Sequence, residues 1–263
     1  MGASEVGMLR ALLERDITPS LVLGTSVGAL NGAAVAADPS PAAVDLLEDI
    51  WSSLGQDPVF DRLPFAGAAN LVRTRTALSS NRQIRELIAR LPVERIEELA
   101  VPFQCVAASI ERAAEHWFTS GPLTDAILAS CAVPGLLPSV EIDGEHFIDG
   151  GIVNSIPIAR AVELGATAIY VLHVGRIERP LSPPTNLWQV AVVSFEIARR
   201  HRFAHDLAHV PEGVAVHVLP TGDTEPLRPE SLSAFRYRSV AGVGRRIERA
   251  REATAAYLER PRS

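Results

Sequence analysis

The 263-residue chain contains no lysine: all 25 of its basic residues are arginine. No folding requirement explains that bias, and it reads as the codon usage of a GC-rich genome. Only two cysteines occur, Cys105 and Cys131, both in apolar contexts and at no disulfide or metal-ligand spacing. That excludes a disulfide framework and makes a reduced, cytoplasmic setting the simplest expectation. No apolar run approaches the roughly 20 residues of a spanning helix, and neither a signal-peptide pattern nor an internal repeat is present. The formal charge of −6 argues against a nucleic-acid partner, because neutralising phosphates needs a basic face.

What is present suits a globular α/β enzyme. A chain of this length, 47% hydrophobic and 21% charged, can bury roughly 70–75% of its unfolded surface. Helical and strand periodicities alternate along it. Helices are predicted at residues 5–15, 27–37, 41–54 (capped by Ser40, with Pro41 in its first turn), 82–90, 123–130, 185–208 and 231–258. Strands are predicted at 20–23, 103–109, 115–118, 168–174 and 214–219, that at 168–174 buried on both faces by its near-continuous apolar run. Residues 55–80 are broken by Pro58, Pro64 and Gly67 yet remain apolar, which fits either a mobile cap or a surface excursion packing a satellite cluster. Prolines around residues 180–184 interrupt the pattern again. The stretch 185–258 is expected to pack on the same core, so residues 1–263 are read as one domain.

Two short segments carry the chemistry. Gly24-Thr25-Ser26-Val27-Gly28 lies between the apolar run Leu21-Val22-Leu23 and an alanine-rich helix, which is the form of a nucleophile elbow. A serine on so sharp a turn needs small neighbours, and Gly24, Gly28, Ala29, Gly32 and Ala33 supply them. The helix start would favour negative charge beside the serine. A glycine-rich turn of this kind also arises for packing or for phosphate binding. The second segment is Asp149-Gly150-Gly151, at the end of a hairpin through Ile142–Ile148. In isolation it is a turn in which the aspartate bonds its own backbone. Beside an elbow it offers a carboxylate that could take the serine proton.

In that combination the chain resembles the patatin-like phospholipases, serine lipid acyl hydrolases with a Ser-Asp dyad. The likeness covers about residues 2–175. It rests on Val6–Leu12, on Gly24–Gly32, on Ala129-Ser130-Cys131-Ala132-Val133-Pro134-Gly135-Leu136-Leu137-Pro138, and on Asp149-Gly150-Gly151 with Asn154 and Pro157. The resemblance implies a three-layer α/β/α fold with a central, largely parallel sheet, Ser26 as nucleophile and Asp149 as general base. It implies a lipid or ester substrate and no metal or organic cofactor. Gly2, Gly24, Val27 and Gly28 fall at its oxyanion and elbow positions, with Gly150 and Gly151 in support. Family members begin with a strand and a glycine-rich oxyanion loop, of which this sequence holds only Gly2; an apolar strand followed by glycines is expected upstream of Met1, the second reading being a short chain that lacks the loop and a central strand of its sheet.

The histidines supply other readings. His201, His205 and His209 recur at i,i+4 spacing beside Asp206, a geometry that permits metal binding; with Arg199, Arg200 and Arg202 they read as a solvated basic face. That face, near Trp188 and Phe195, could rest on an anionic membrane. His217 alternates with apolar residues and reads as a satisfied core histidine. His173 ends a strand, and Ser26, Asp149 and His173 would form the triad of an α/β-hydrolase-type esterase, although only about 20 residues precede this elbow. A lipid-binding protein that lost turnover is the reading from another class. Nothing in the sequence sets an oligomeric state.

Overall fold

The computed structural model describes residues 2–54, 80–174, 180–223 and 240–260. The proline-broken stretch read as a cap or excursion falls, but for Ser80, outside the described residues, as do residues 231–239 of the predicted C-terminal helix. The chain divides into two compact units, Thr18–Ser155 and Met1–Ile17 with Ile156–Ser263.

The unit Thr18–Ser155 is built on one long strand. Its elements are β1 (Val22–Thr25), α2 (Val27–Ala37), α3 (Pro41–Leu54), α4 (Arg82–Ile88), β2 (Phe103–Ser109), β3 (Ala114–Phe118), α5 (Leu123–Ser130), β4 (Val140–Ile142) and β5 (Glu145–Asp149). Six of the seven residues of β2 are buried, as a run of apolar and small residues on a central strand should be. β1 runs parallel to β2 over Phe103–Val106, while β5 runs antiparallel to it over Ala107–Ser109. β3 pairs antiparallel with Cys105–Ser109 and overlaps both partners. A strand has two edges, so β3 occupies one and β1 and β5 share the other, end to end.

The sheet is therefore mixed, and turn chemistry accounts for one of its antiparallel pairs, β4–β5. Asp143 and Gly144 both take positive φ (53° and 80°) between β4 and β5, the two-residue hairpin turn whose twist matches the flanking strands. α3 starts as its sequence predicts: the Ala42 N–H donates to Ser40 Oγ at 3.2 Å. It buries Ala43, Val44, Leu47, Ile50 and Trp51, one helical face in steps of three and four. Burial of each large apolar side chain contributes roughly 1.5–3 kcal/mol.

The other unit holds α1 (Ala3–Leu13), α6 (Ile158–Glu163), β6 (Ala168–Val171), α7 (Leu187–Ala208), β7 (Ala215–Val218) and α8 (Val240–Leu258). β6 and β7 pair in parallel from Ala168↔Ala215 to Val171↔Val218. Met8, Leu12, Leu219 and Ala250 form one apolar cluster, and Ile156, Ile158, Val171 and Phe203 a second. α1 lies along α8, tied by Arg15 to Glu259 at 2.6 Å and by Arg251 to Glu14 at 3.1 Å.

Several expectations change here: α1 spans Ala3–Leu13 where 5–15 is predicted, and β1 spans Val22–Thr25 where 20–23 is predicted. The strand predicted at 168–174 ends at Val171, and Ala168 is exposed with Ile169 and Tyr170 only half-buried, so its apolar run overstated its burial. α7 starts two residues later than predicted, because Asn186 caps it by accepting from the Gln189 N–H at 3.0 Å. The face on α7 is not uniformly solvated and basic. Arg199 is buried and bonds Glu196 at 2.9 Å, and Asp206 is buried and bonds Arg202 at 3.0 Å, whereas His201, His205 and His209 are exposed. Opposite charges at i,i+3 and i,i+4 are the physical reason. Among the described residues no group of three or more His, Cys, Asp or Glu could hold a metal, and no helix is long and apolar enough to cross a membrane. His217 is half-buried, stacked on Tyr170 with centroids 4.8 Å apart, with Nδ1 3.3 Å from the Tyr257 hydroxyl.

Candidate active site

Strand register brings Ser26 and Asp149 together. β1 ends with Thr25 opposite Val106, and β5, running the other way on the same edge of β2, ends with Asp149 opposite Ala107. The residue after Thr25 therefore meets the last residue of β5 head-on. Both chains then leave the sheet, β1 through Ser26 into α2 and β5 into a 3-10 turn, Gly150–Ile152.

Glycine is required on each side of this junction. A Cβ on Gly24 would fall 2.5 Å from the Ala29 Cα, because α2 folds back tightly on β1. A Cβ on Gly150 would fall 2.1 Å from the Val106 carbonyl oxygen. Gly28 and Val27 occupy the first turn of α2, where backbone N–H groups have no intrahelical acceptor. Gly2 stands in the other unit as the N-cap of α1, its carbonyl accepting from the Glu5 N–H at 3.1 Å.

Ser26 has φ 54° and ψ −125°, a conformation that a non-glycine residue holds only when its surroundings over-determine it, at a cost of order 1–3 kcal/mol. Its side chain donates to Asp149 Oδ2 at 2.6 Å. No imidazole fits between atoms so close. His173 belongs to the other unit. Asp149 is 3% exposed; its Oδ1 accepts from the Gly151 N–H at 2.7 Å, and its own N–H donates to the Ala132 carbonyl at 2.9 Å. Burial pushes its pKa up to about 6, against the opposing pull of the hydrogen bonds from Ser26 and Gly151. A buried carboxylate that still ionises near neutrality, in direct contact with a serine hydroxyl, can accept that hydroxyl's proton.

Further polar contacts surround the pair. Thr25 Oγ1 donates to the Asn154 carbonyl at 2.9 Å, and Asn154 Nδ2 donates to Glu115 Oε2 at 2.8 Å. Together they tie the end of β1 to the segment after Gly151 and to β3. The Ser26 N–H donates to Ser130 Oγ at 2.9 Å, and Cys131 Sγ donates to the Ser26 carbonyl at 3.0 Å. From the sequence, Ser130 and Cys131 register only as part of a longer matching segment, and Thr25 and Glu115 carry no signal. A hydroxyl closing the otherwise apolar end of α5 is the one feature that could single out Ser130.

The sequence model of the family described as "Patatin-like phospholipase" matches residues 1–162. A patatin-like phospholipase domain-containing protein of Caenorhabditis elegans, ZK370.4, is 33% identical over 190 residues, 71% of this chain and 13% of that protein. An uncharacterized NTE family protein of Mycobacterium bovis, Mb1092c, is 33% identical over 159 residues, 60% of this chain and 41% of the relative. The lysophospholipase nte1 of Aspergillus terreus is 26% identical over 187 residues, 67% of this chain and 11% of that protein. The chain thus spans less than half the length of each of these relatives. With a match across most of the chain that includes both the elbow and Asp149-Gly150-Gly151, the protein belongs to the patatin-like phospholipase family.

Proposed function

We propose that this chain hydrolyses carboxylic ester bonds of lipids, with Ser26 as nucleophile and Asp149 as general base. The observation that carries the reading is the 2.6 Å hydrogen bond from the Ser26 hydroxyl to a buried carboxylate held near pKa 6. The relatives named as phospholipases and a lysophospholipase favour a lipid ester as substrate.

Ser26 Oγ attacks the acyl carbonyl carbon as Asp149 takes its proton, giving a tetrahedral oxyanion. The first-turn N–H groups of α2, that of Val27 foremost, can donate to that charge. Collapse of the intermediate breaks the ester C–O bond. The departing alkoxide takes the proton from Asp149, and an acyl-serine remains. Water then loses a proton to Asp149 and attacks the acyl carbon. The fatty acid leaves, and the proton returns to Ser26 Oγ.

A fluorophosphonate probe and an ester panel test the proposal. The protein should be labelled at Ser26 and should hydrolyse a short-chain p-nitrophenyl ester and lysophosphatidylcholine. Ser26→Ala should lose labelling and fall to the buffer rate on every accepted ester. Turnover retained by Ser26→Ala, or labelling at another serine, would overturn the assignment.

A further inference from the structure

Three consecutive residues at the end of α5 hold both members of the Ser26–Asp149 pair. Ser130 Oγ accepts from the Ser26 N–H at 2.9 Å, Cys131 Sγ donates to the Ser26 carbonyl at 3.0 Å, and the Ala132 carbonyl accepts from the Asp149 N–H at 2.9 Å. None of these bonds belongs to a helix or a strand ladder. They join the two ends that meet on the edge of β2 to one rigid point.

The three are not equivalent. The Ser26 carbonyl has a second donor, the Ala29 N–H at 2.8 Å, so loss of the Cys131 thiol leaves it bonded. The Ala132 contact uses backbone on both sides. The Ser26 N–H is different: Ser26 is the N-cap of α2 with positive φ, so neither helix nor ladder bonding is open to its N–H, and a side chain supplies the acceptor. That side chain, Ser130, is wholly buried, which excludes water as a ready substitute. The orientation of the peptide before Ser26 fixes where Oγ points relative to Asp149.

We propose that Ser130 is a positioning residue for catalysis, whose hydroxyl holds the nucleophile's backbone in the conformation that keeps Ser26 Oγ on Asp149. The proposal rests on Ser26 acting as nucleophile. Without the acceptor, the Ser26 peptide rotates among conformations and only a fraction of molecules present Oγ in line. Misplacement of that size costs about 10- to 100-fold in the rate of attack.

The test compares Ser26→Ala, Ser130→Ala, Ser130→Cys and Thr124→Ala on a p-nitrophenyl ester, at a temperature well below each variant's melting point. Ser130→Ala should lower kcat about 10- to 100-fold with KM within about twofold, and should slow fluorophosphonate labelling by the same factor. Ser130→Cys fills the space but accepts hydrogen bonds weakly; it should behave like the alanine variant and carries the test if Ser130→Ala does not fold. Thr124→Ala, a half-buried position near the opposite end of α5, should stay within about threefold of wild type. The acid limb of the pH profile should not move in either Ser130 variant, because Ser130 bonds Ser26 and not Asp149. Folded Ser130 variants with wild-type kcat and labelling would overturn the proposal, as would an equal loss in Thr124→Ala, which would mark general damage to α5. A fully active Ser26→Ala would instead remove the nucleophile assignment, a separate failure.

Discussion

Replacing Asp149 with asparagine is expected to lower kcat/KM about 10,000-fold while making the protein harder to unfold at pH 8. The two effects share one cause. Asparagine can accept from the Gly151 N–H through its oxygen and donate to Ser26 Oγ through its amide, so both side-chain hydrogen bonds at this position survive. What disappears is the proposed proton acceptor and, with it, a buried negative charge. The carboxyl pKa rises from 3.8 to about 6 on folding, chiefly through burial, and about two units correspond to roughly 3 kcal/mol. Because the folded value is the higher one, the native protein binds a proton between about pH 4 and pH 6 that the unfolded chain does not. The contribution of Asp149 to wild-type stability is therefore most favourable below the unfolded pKa and is lost as pH rises through about 6. The asparagine variant lacks that dependence. Urea unfolding should show the variant ahead by roughly 3 kcal/mol at pH 8, with the gap closed near pH 3.8. The wild-type pH–rate profile should carry the matching signature, kcat/KM falling as pH drops through about 6 as the base takes up its proton. A wild type as stable as Asp149→Asn at pH 8, or activity undiminished at pH 5, would contradict this account.

Much of this arrangement could be read from local sequence, and what could not has a common physical character. The bounds of α2, α3, α5 and β2 follow from apolar period, a serine cap and a proline, all of which act within a few residues. The β4–β5 hairpin follows from Asp143-Gly144, since positive φ at two successive positions admits few residues. The end-to-end placement of β1 and β5 on one edge of β2 has no local signature. It is a matter of strand register, set by which apolar faces meet over more than 100 residues of intervening chain. For the same reason Ser130, Glu115 and Thr25 go unseen: each acts on a partner distant in sequence, through a single hydrogen bond that any small polar residue could offer. Burial of β6 fails in the opposite direction, because an apolar composition reports what a strand could bury and not what lies beside it.

Gly150→Ala is expected to cost about 3 kcal/mol or more and, in the molecules that still fold, to lower turnover about 100-fold. The added Cβ would stand 2.1 Å from the Val106 oxygen, 2.7 Å from its carbonyl carbon and 2.9 Å from Cγ1. Relief requires a backbone shift of about 1 Å, since non-bonded carbon atoms settle at 3.5–4 Å. Val106 cannot supply it, being paired with Thr25 on one edge and Trp117 on the other. The displacement therefore falls on Gly150 and on its neighbour Asp149, whose N–H is bonded to Ala132 and whose carboxylate bonds Ser26 and Gly151. A movement of that size lengthens the 2.6 Å contact on which the proposed proton transfer depends. Gly244→Ala supplies the opposite sign. Gly244 lies exposed within α8 with nothing within 4 Å of its added Cβ, and alanine there should raise stability by up to about 1 kcal/mol with activity unchanged. Thermal or urea melts of the two variants separate the cases. A Gly150→Ala protein with wild-type stability and turnover would mean that β5 approaches β2 less closely than this geometry requires, and the head-on meeting of Ser26 and Asp149 would fall with it.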